Sequence, residues 1–262
     1  RGWRAAAAFA LCFLPVALGF IAPTVHLLRE AGKRVAFAGI SPRIWTEIVN
    51  TVAVSAIATL FILACGVLVV HVARGHPGRF TALAARISTL GYAVPGTVLA
   101  IGLLVPLGVF DRFWAGAVER LTGAAPGLLL LGSGAALVLA YAARFMAIST
   151  GGIEAGFSRI PPSLDHAARM LGRTPAGVLR TVHLPLSKAA LASAGLLVFV
   201  DCMKELPATL LLRPLNFETL ATHLYGEAAR GTYEEAAIAA LLIVAIGIIP
   251  VIALSQTGKN KR

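Results

Sequence analysis

The sequence has few charged residues for its length, and this shortage limits the classes of protein that it can encode. Charged residues make up 13% of the 262 residues, whereas hydrophobic residues make up 58%. A soluble domain carries about a quarter charged residues, because its surface must face water. A larger core does not explain so large a deficit. We therefore expect the lipid bilayer to be the solvent for most of the chain.

Motifs for nucleotide binding and for common hydrolytic chemistry are also missing. The sequence has no Gly-x-x-x-x-Gly-Lys-Ser/Thr loop, no His-Glu-x-x-His motif and no nucleophile elbow. Its three cysteines, Cys12, Cys65 and Cys202, lack metal-ligand or disulfide spacing, and we interpret them as small buried hydrophobic residues. We expect no catalytic residue, no cofactor and no certain metal site, so a membrane enzyme is the weakest hypothesis.

Long apolar runs are the main positive feature of the sequence. About 20 apolar residues cross the hydrocarbon core as a helix. Division of the sequence at its charged residues predicts six spans, at about residues 5–28, 48–73, 87–110, 121–143, 189–212 and 236–258. The fifth is interrupted by Asp201, Lys204 and Glu205 but is apolar on both sides. The expected fold class is all-α integral membrane, with six transmembrane helices in one domain, 1–262.

The start of the chain bears on whether the sequence is complete. It begins at Arg1 without an initiator methionine, which indicates a piece of a longer product or a processed chain. The first apolar run is long enough to span a membrane, so it does not resemble a cleavable signal peptide.

The net charge of +11 is unevenly distributed between the two sides of the predicted bundle. One side collects fourteen basic residues against two acids, whereas the other has eight of each sign. The fourteen are Arg1, Arg4, Arg74, Arg79, Arg86, Arg144, Arg159, Arg169, Arg173, Arg180, Lys188, Lys259, Lys261 and Arg262. By the positive-inside rule this side is cytoplasmic, so the excess is a topology signal rather than a nucleic-acid footprint. Both termini and the loop at 145–188 are then cytoplasmic.

The loop at 145–188 is predicted to contain two short helices. Ser163 suits the N-cap of the first, with Asp165 in its first turn, and Gly172 suits its left-handed end. Thr174 and Pro175 suit the start of the second helix. The first helix presents four apolar residues, Ala167, Ala168, Met170 and Leu171. This face fits either a groove on a partner protein or the lipid surface.

The same loop resembles the signature of ABC importer permeases, which is Glu-Ala-Ala, three residues, Gly, nine residues, Ile, one residue and Leu-Pro. The matching residues here are His166, Ala167, Ala168, Gly172, Val182, Leu184 and Pro185. The resemblance implies a type I ABC importer permease fold, in which this loop is the coupling helix that docks on an ATPase dimer. ATP and magnesium would bind to that separate subunit.

His166 is the main departure from the signature. The usual glutamate, three residues after Ser163, would complete a capping box, and histidine cannot supply its carboxylate. We interpret His166 as a solvated surface residue rather than as a ligand or a sensor.

Three further stretches resemble permeases of the ferric iron uptake family. They are residues 91–102, 201–221 and 236–244, and the chain is similar to the C-terminal half of a fused permease. The resemblance implies a second permease half, fused or separate, a periplasmic solute-binding protein and a multi-pass place in the bacterial inner membrane. Relatives that import thiamine, putrescine, phosphonates or sulfate share this architecture. An ion-coupled secondary transporter, which would not need the coupling signature, is the alternative from another class.

The two acids of the fifth span are candidates for the solute path. Asp201 and Glu205 are four residues apart, which places them on one face of a helix, and Pro207 predicts a kink just beyond them. Carboxylates suit a hard cation such as Fe(III). Alternatively, Lys204 and a basic residue of another helix neutralise the acids in a structural cluster.

Overall fold

The protein is described here by a computed structural model that covers residues 2–124 and 126–259, with side chains as far as Ile252. Within these residues the regular structure is entirely helical. The helices are α1 (Trp3–Ala38), α2 (Arg43–Gly75), α3 (Arg79–Leu90), α4 (Gly96–Thr122), α5 (Gly134–Phe157), α6 (Pro162–Met170), α7 (Pro175–Met203), α8 (Pro207–Leu212), α9 (Leu220–Arg230) and α10 (Tyr233–Lys259). Helices α1 and α7 each contain one π-helical turn, at Ala17–Ile21 and Leu179–His183.

Six of these helices are long and apolar enough to cross a membrane, namely α1, α2, α4, α5, α7 and α10. The predicted all-α fold with six spans is therefore confirmed. We call the end of the bundle where α5 leads through α6 into α7 the loop end. Among the basic residues counted for topology, Arg1, Lys261 and Arg262 lie outside the described residues.

Two spans differ in position from their predictions, because charged residues lie inside helices rather than at their ends. The span expected at 87–110 is α4, which continues past Asp111 to Thr122. Asp111 is buried, and it accepts hydrogen bonds from three consecutive backbone amides of residues 129–131 at 2.8 to 3.1 Å. A carboxylate satisfied in this way does not have to end a span.

The span expected at 121–143 is α5, which begins at Gly134 and continues to Phe157. The loop expected at 145–188 is correspondingly shorter. Its first part belongs to α5 and its last part to α7, which leaves residues 158–174 between the two helices. Helices α3 and α9 were not predicted as separate elements.

The span expected at 189–212 is broken rather than kinked. Helix α7 ends at Met203 and the short helix α8 begins at Pro207, with residues 204–206 between them. A second break, at residues 91–95, separates α3 from α4. Both interruptions contain or precede a proline, which cannot donate a backbone hydrogen bond within a helix.

Helices α2, α5 and α7 form the centre of the bundle and approach closely at small residues. A Cβ at Gly152 on α5 would lie 2.8 Å from the Cβ of Ala194 on α7, and one at Gly156 would lie 2.6 Å from the Cβ of Ala190. Ser149 Oγ donates to the carbonyl oxygen of Ile62 on α2 at 3.2 Å. Such contacts are typical of membrane helices, which pack through small residues and interhelical hydrogen bonds.

The cysteines are not all part of this packing. Cys202 is buried, Cys65 is half-buried and Cys12 is exposed on α1. The expectation of burial was wrong for Cys12, because the core contacts that α1 makes among the described residues lie in its second half, around Leu27 and Ala31.

The close approach of α5 and α7 predicts a difference between two adjacent glycines. Gly152→Leu should lower stability by about 1–3 kcal/mol, because the added side chain overpacks the contact with Ala194. Gly151→Leu is the matched control, since a Cβ at Gly151 meets nothing within 4 Å. Thermal unfolding in detergent measures both variants, and equal midpoints would contradict the packing described.

Candidate functional site

Arg74, at the loop end of α2, connects three parts of the chain. Its Nε donates to Asp165 Oδ2 on α6 at 2.8 Å. Its two terminal nitrogens donate to the carbonyl oxygens of Phe157 and Ile160, at 2.6 and 2.7 Å. Because the guanidinium group carries five donors in a fixed plane, one side chain can hold both the end of α5 and the start of α6.

His183, in the π-helical turn of α7, extends this cluster. Its Nε2 lies 2.9 Å from Asp165 Oδ1, and its Nδ1 lies 3.1 Å from Nδ1 of His71 on α2. Burial raises the pKa of Asp165, but the hydrogen bonds from Arg74 and His183 outweigh this effect, so the pKa lies below its ordinary value. The contribution of this carboxylate to stability is therefore present at neutral pH and is lost only as pH falls through the depressed pKa.

The four apolar residues predicted to form one face of α6 divide between two environments. Ala168 is buried against its own chain, which corrects the expectation that it faces a partner. Ala167 is exposed together with His166, and Met170 and Leu171 at the end of the helix are almost fully exposed. The surface available to a partner is therefore the tip of α6.

The predicted end of α6 and the predicted start of the following helix are confirmed. Gly172 has φ of 78°, and its amide donates to Arg169 O at 2.9 Å, while the amide of Arg173 donates to Ala168 O at 3.0 Å. This pair of bonds is a Schellman motif, which needs a left-handed residue at this position. Thr174 Oγ1 then accepts from the amide of Gly177 at 3.2 Å.

The predicted start of α6 was wrong. The helix begins at Pro162, and Ser163 lies inside its first turn rather than at the N-cap. Proline at the first helical position has its backbone already set for a helix, which explains the earlier start. A glutamate at position 166 would therefore not complete the expected capping box. Of the remaining coupling residues, Leu184 is half-buried and Pro185 is exposed, directly after the π-helical turn of α7.

The two helix breaks meet beside Arg144, in the interior of the bundle. A Cβ at Gly91 would lie 1.7 Å from the carbonyl oxygen of Ala143, and one at Gly96 would lie 2.2 Å from Nη1 of Arg144. Glycine is therefore a steric requirement at Gly91, where the obstacle is backbone, whereas at Gly96 a side chain would displace the end of Arg144. Broken helices are tolerated at membrane depth where the freed backbone is buried in protein or lines a cavity.

Arg144 lies ten residues after the start of α5, about 15 Å along the helix. Its Nε is 3.1 Å from Glu205 Oε2, and the amide of Ala208 donates to Glu205 Oε1 at 3.3 Å. The prediction that Arg144 flanks its span on the cytoplasmic side was wrong, because Arg144 lies inside α5, where Glu205 neutralises it. A count of charges along the sequence does not show whether an arginine lies at the end of a span or within it, paired with an acid.

Asp201 and Glu205 do not share a helix face, because α7 ends at Met203. Each has a cationic partner, Lys204 Nζ at 2.7 Å from Asp201 Oδ1 and Arg144 for Glu205. The alternative interpretation, in which the two acids belong to a structural cluster, required partners of this kind. Both acids nevertheless line one open pocket of about 500 Å³, so their place in a solute path stays a prediction. The residues around the pocket are Tyr92, Arg144, Phe145, Asp201, Lys204, Glu205 and Pro207.

A second pocket, of about 610 Å³, also carries charges of both signs, with Lys33, Arg34, Glu227, Glu234 and Glu235 in its lining among the described residues. Within them, no three His, Cys, Asp or Glu side chains come together in a group that could hold a metal ion. Arg144 and Lys204 are the charged groups of the first pocket that could bind an anion, and Asp201 and Glu205 are those that could bind a cation.

Comparison with known proteins identifies relatives over most of the chain. The family model for the binding-protein-dependent transport system inner membrane component matches residues 63–257. The Fe(3+)-transport system permease protein FbpB 2 of Haemophilus influenzae is 26% identical over 207 residues, which are 79% of this chain and 38% of that protein. The putative 2-aminoethylphosphonate transport system permease protein PhnV of Salmonella typhimurium is 27% identical over 216 residues, or 82% of this chain and 76% of PhnV.

A solved structure shares the fold at low sequence identity. A chain of the bacterial alginate ABC transporter, in complex with an alginate pentasaccharide-bound periplasmic protein, aligns with a TM-score of 0.77 and 15% identity. The alignment covers 98% of this chain and 94% of that chain. At this identity the similarity establishes the fold alone.

The pairing of Arg144 with Glu205 predicts a non-additive pair of substitutions. Arg144→Gln alone should destabilise the protein by about 3–5 kcal/mol, because it leaves a buried carboxylate without its counter-charge. The double variant Arg144→Gln/Glu205→Gln should recover most of this loss, since two neutral amides can replace the ion pair. Thermal unfolding in detergent compares them, and a double variant no more stable than the single one would contradict the pairing.

Proposed function

Because the chain belongs to the family of binding-protein-dependent transport system inner membrane components, we propose that it is the permease unit, or half, of an ATP-driven importer. Its six candidate spans make it a multi-pass protein of the inner membrane. Solute would pass from a periplasmic binding protein through the bundle to the cytoplasm. ATP hydrolysis would take place on a separate ATPase dimer.

The tip of α6 is the observation that supports ATP coupling most directly. Met170 and Leu171 project from a short helix whose end is fixed by Gly172, and Arg74 ties the start of the same helix to α5. An exposed apolar tip on a rigidly held helix suits a groove on a partner protein. The surface of the ATPase would bind here, with His166 and Ala167 beside it.

The solute that we propose is ferric iron. The similarity to FbpB 2 supports it, together with the resemblance of residues 91–102 and 201–221 to ferric iron permeases. A phosphonate is the second candidate, because PhnV is similar at nearly the same identity. Thiamine, putrescine and sulfate importers share the architecture but have no such support here.

A second permease half is a further part of the proposal. The chain spans 38% of the length of FbpB 2 but 76% of PhnV. Its length is therefore compatible with a partner half that is fused to it and with one that is a separate chain. Helix α1 offers an apolar surface that packs on little else within the described residues. In the complete transporter, lipid and the second half would cover such surfaces.

We propose that the loop end faces the cytoplasm, as the excess of basic residues indicates. The removal of Arg144 from that count leaves the excess in place. In a variant without native cysteines, Ser163→Cys on α6 and Asn216→Cys between α8 and α9 should react with an impermeant thiol reagent from opposite sides of the membrane. Reaction of both positions from one side would contradict the orientation.

The importer function is tested by uptake of labelled solutes into vesicles that contain the permease, its ATPase and its binding protein. Uptake of ferric iron or a phosphonate should require ATP and persist when ion gradients are collapsed. Uptake driven by an ion gradient without ATP would instead support a secondary transporter.

Gly172→Val tests the coupling role of α6 in the same vesicles. A β-branched residue strains the left-handed end of the helix by about 1–2 kcal/mol, so ATP hydrolysis should continue while uptake falls at least about tenfold. Gly231→Val is the matched control, because Gly231 has φ of 83° and equally open surroundings at the end of α9. Equal uptake by the two variants would remove Gly172 from the coupling mechanism.

A further inference from the structure

Among the four charged side chains of the pocket beside Arg144, Lys204 is the most exposed and Glu205 the most buried. Lys204 is 63% exposed and Arg144 is 24% exposed, whereas Asp201 is 20% exposed and Glu205 only 5%. The formal charges of the four side chains cancel, but the charge that a solute would meet does not. A solute that enters the pocket first meets the ammonium group of Lys204.

The polar groups of the pocket that have no hydrogen-bond partner are also mainly donors. Both carboxylate oxygens of Glu205 are occupied, one by Arg144 and the other by the amide of Ala208. Nη1 of Arg144 also lacks a hydrogen-bond partner among the described residues, but it is buried beside Gly96 and is not accessible from the pocket. Among the acceptors, Oδ2 of Asp201 has no such partner in the same part of the chain. Lys204 has three donors, of which Asp201 occupies one. An oxyanion would use the two unoccupied donors of Lys204, whereas a cation at Glu205 would compete with the guanidinium group of Arg144.

The backbone adds a positive potential at the same place. Gly96 is the first residue of α4, and its missing side chain lets Arg144 lie directly against the helix start. The first amides of a helix carry about half a positive charge, which favours an anion near them. This contribution supports the side chains of Arg144 and Lys204 rather than forming a site alone.

We propose that this pocket binds an oxyanion group of the imported solute, with Lys204 and Arg144 as its charged ligands. The group is a phosphonate or phosphate of the solute itself, or a carboxylate that carries a metal ion as a chelate. Asp201 positions Lys204, and Glu205 positions Arg144, so neither acid is a direct ligand. This inference rests on the proposed import function, and it reverses the role expected for the two acids.

Binding to the full-length gene product in phosphatidylcholine nanodiscs tests the inference. The probes are methylphosphonate, citrate and ferric citrate, each titrated by calorimetry. Lys204→Gln should weaken binding about tenfold, the order expected for loss of one charged hydrogen bond. Lys33→Gln is the matched control, since Lys33 is 64% exposed and pairs with an acid three residues away, as Lys204 does. Lys33→Gln should bind as the wild type does.

Asp201→Asn separates an oxyanion site from a cation path. It removes a negative charge and frees Lys204, so oxyanion binding should be retained or strengthened. Weaker binding in Asp201→Asn together with unchanged binding in Lys204→Gln would overturn the inference, as would the absence of binding by all three probes. Binding of methylphosphonate identifies a solute that is itself an oxyanion, whereas binding of ferric citrate alone identifies a chelate.

The proposed import function is tested separately, by measurement of ATP-dependent uptake. If wild-type protein binds a probe and the variants follow the expected order, the oxyanion site stands even where uptake into vesicles fails. If uptake succeeds but Lys204→Gln and Lys33→Gln transport and bind equally well, the importer stands and the site is overturned.

Discussion

Inside a bilayer no water is available to hydrogen bond a freed peptide group or to solvate a charge, and this constraint governs the centre of the protein. Two helices are interrupted there, and both breaks lie against Arg144. The breaks are possible because Glu205 neutralises the arginine and also accepts the first free amide of α8. Gly91 and Gly96 let the backbone around the break at residues 91–95 pack directly against α5.

Helices α5 and α7 connect this centre to the loop end. Arg144 lies in the middle of α5, and the carbonyl oxygen of Phe157 at its end is held by Arg74. Helix α7 contacts Asp165 on α6 through His183, in its π-helical turn, and ends just before Glu205. The two helices pack tightly through small residues. The pocket and the tip of α6 are therefore joined by continuous packed helices rather than by flexible loops.

Local sequence signals predicted the loop better than they predicted the centre. Gly172 and Thr174 behave as their residue types require, because a left-handed helix end and a hydroxyl N-cap depend on a few neighbouring residues. Ser163 did not become a cap, because Pro162 competed for the start of the same helix. The cluster of His71, Arg74 and His183 was missed, since His183 is more than 100 residues from the other two and each residue looks ordinary in its own segment.

The sequence alone determined that the chain is a six-span helical membrane protein, because hydrophobic length and charge-free runs are properties of each segment. It also determined the family, through the spacing in a single loop. Only the tertiary structure decided where the spans begin and end around Asp111 and Arg144. Whether a charge ends a span or lies within it depends on a partner supplied by a distant segment, here the amides of residues 129–131 and the carboxylate of Glu205. Such a partner is a matter of three-dimensional proximity, and no local pattern encodes it.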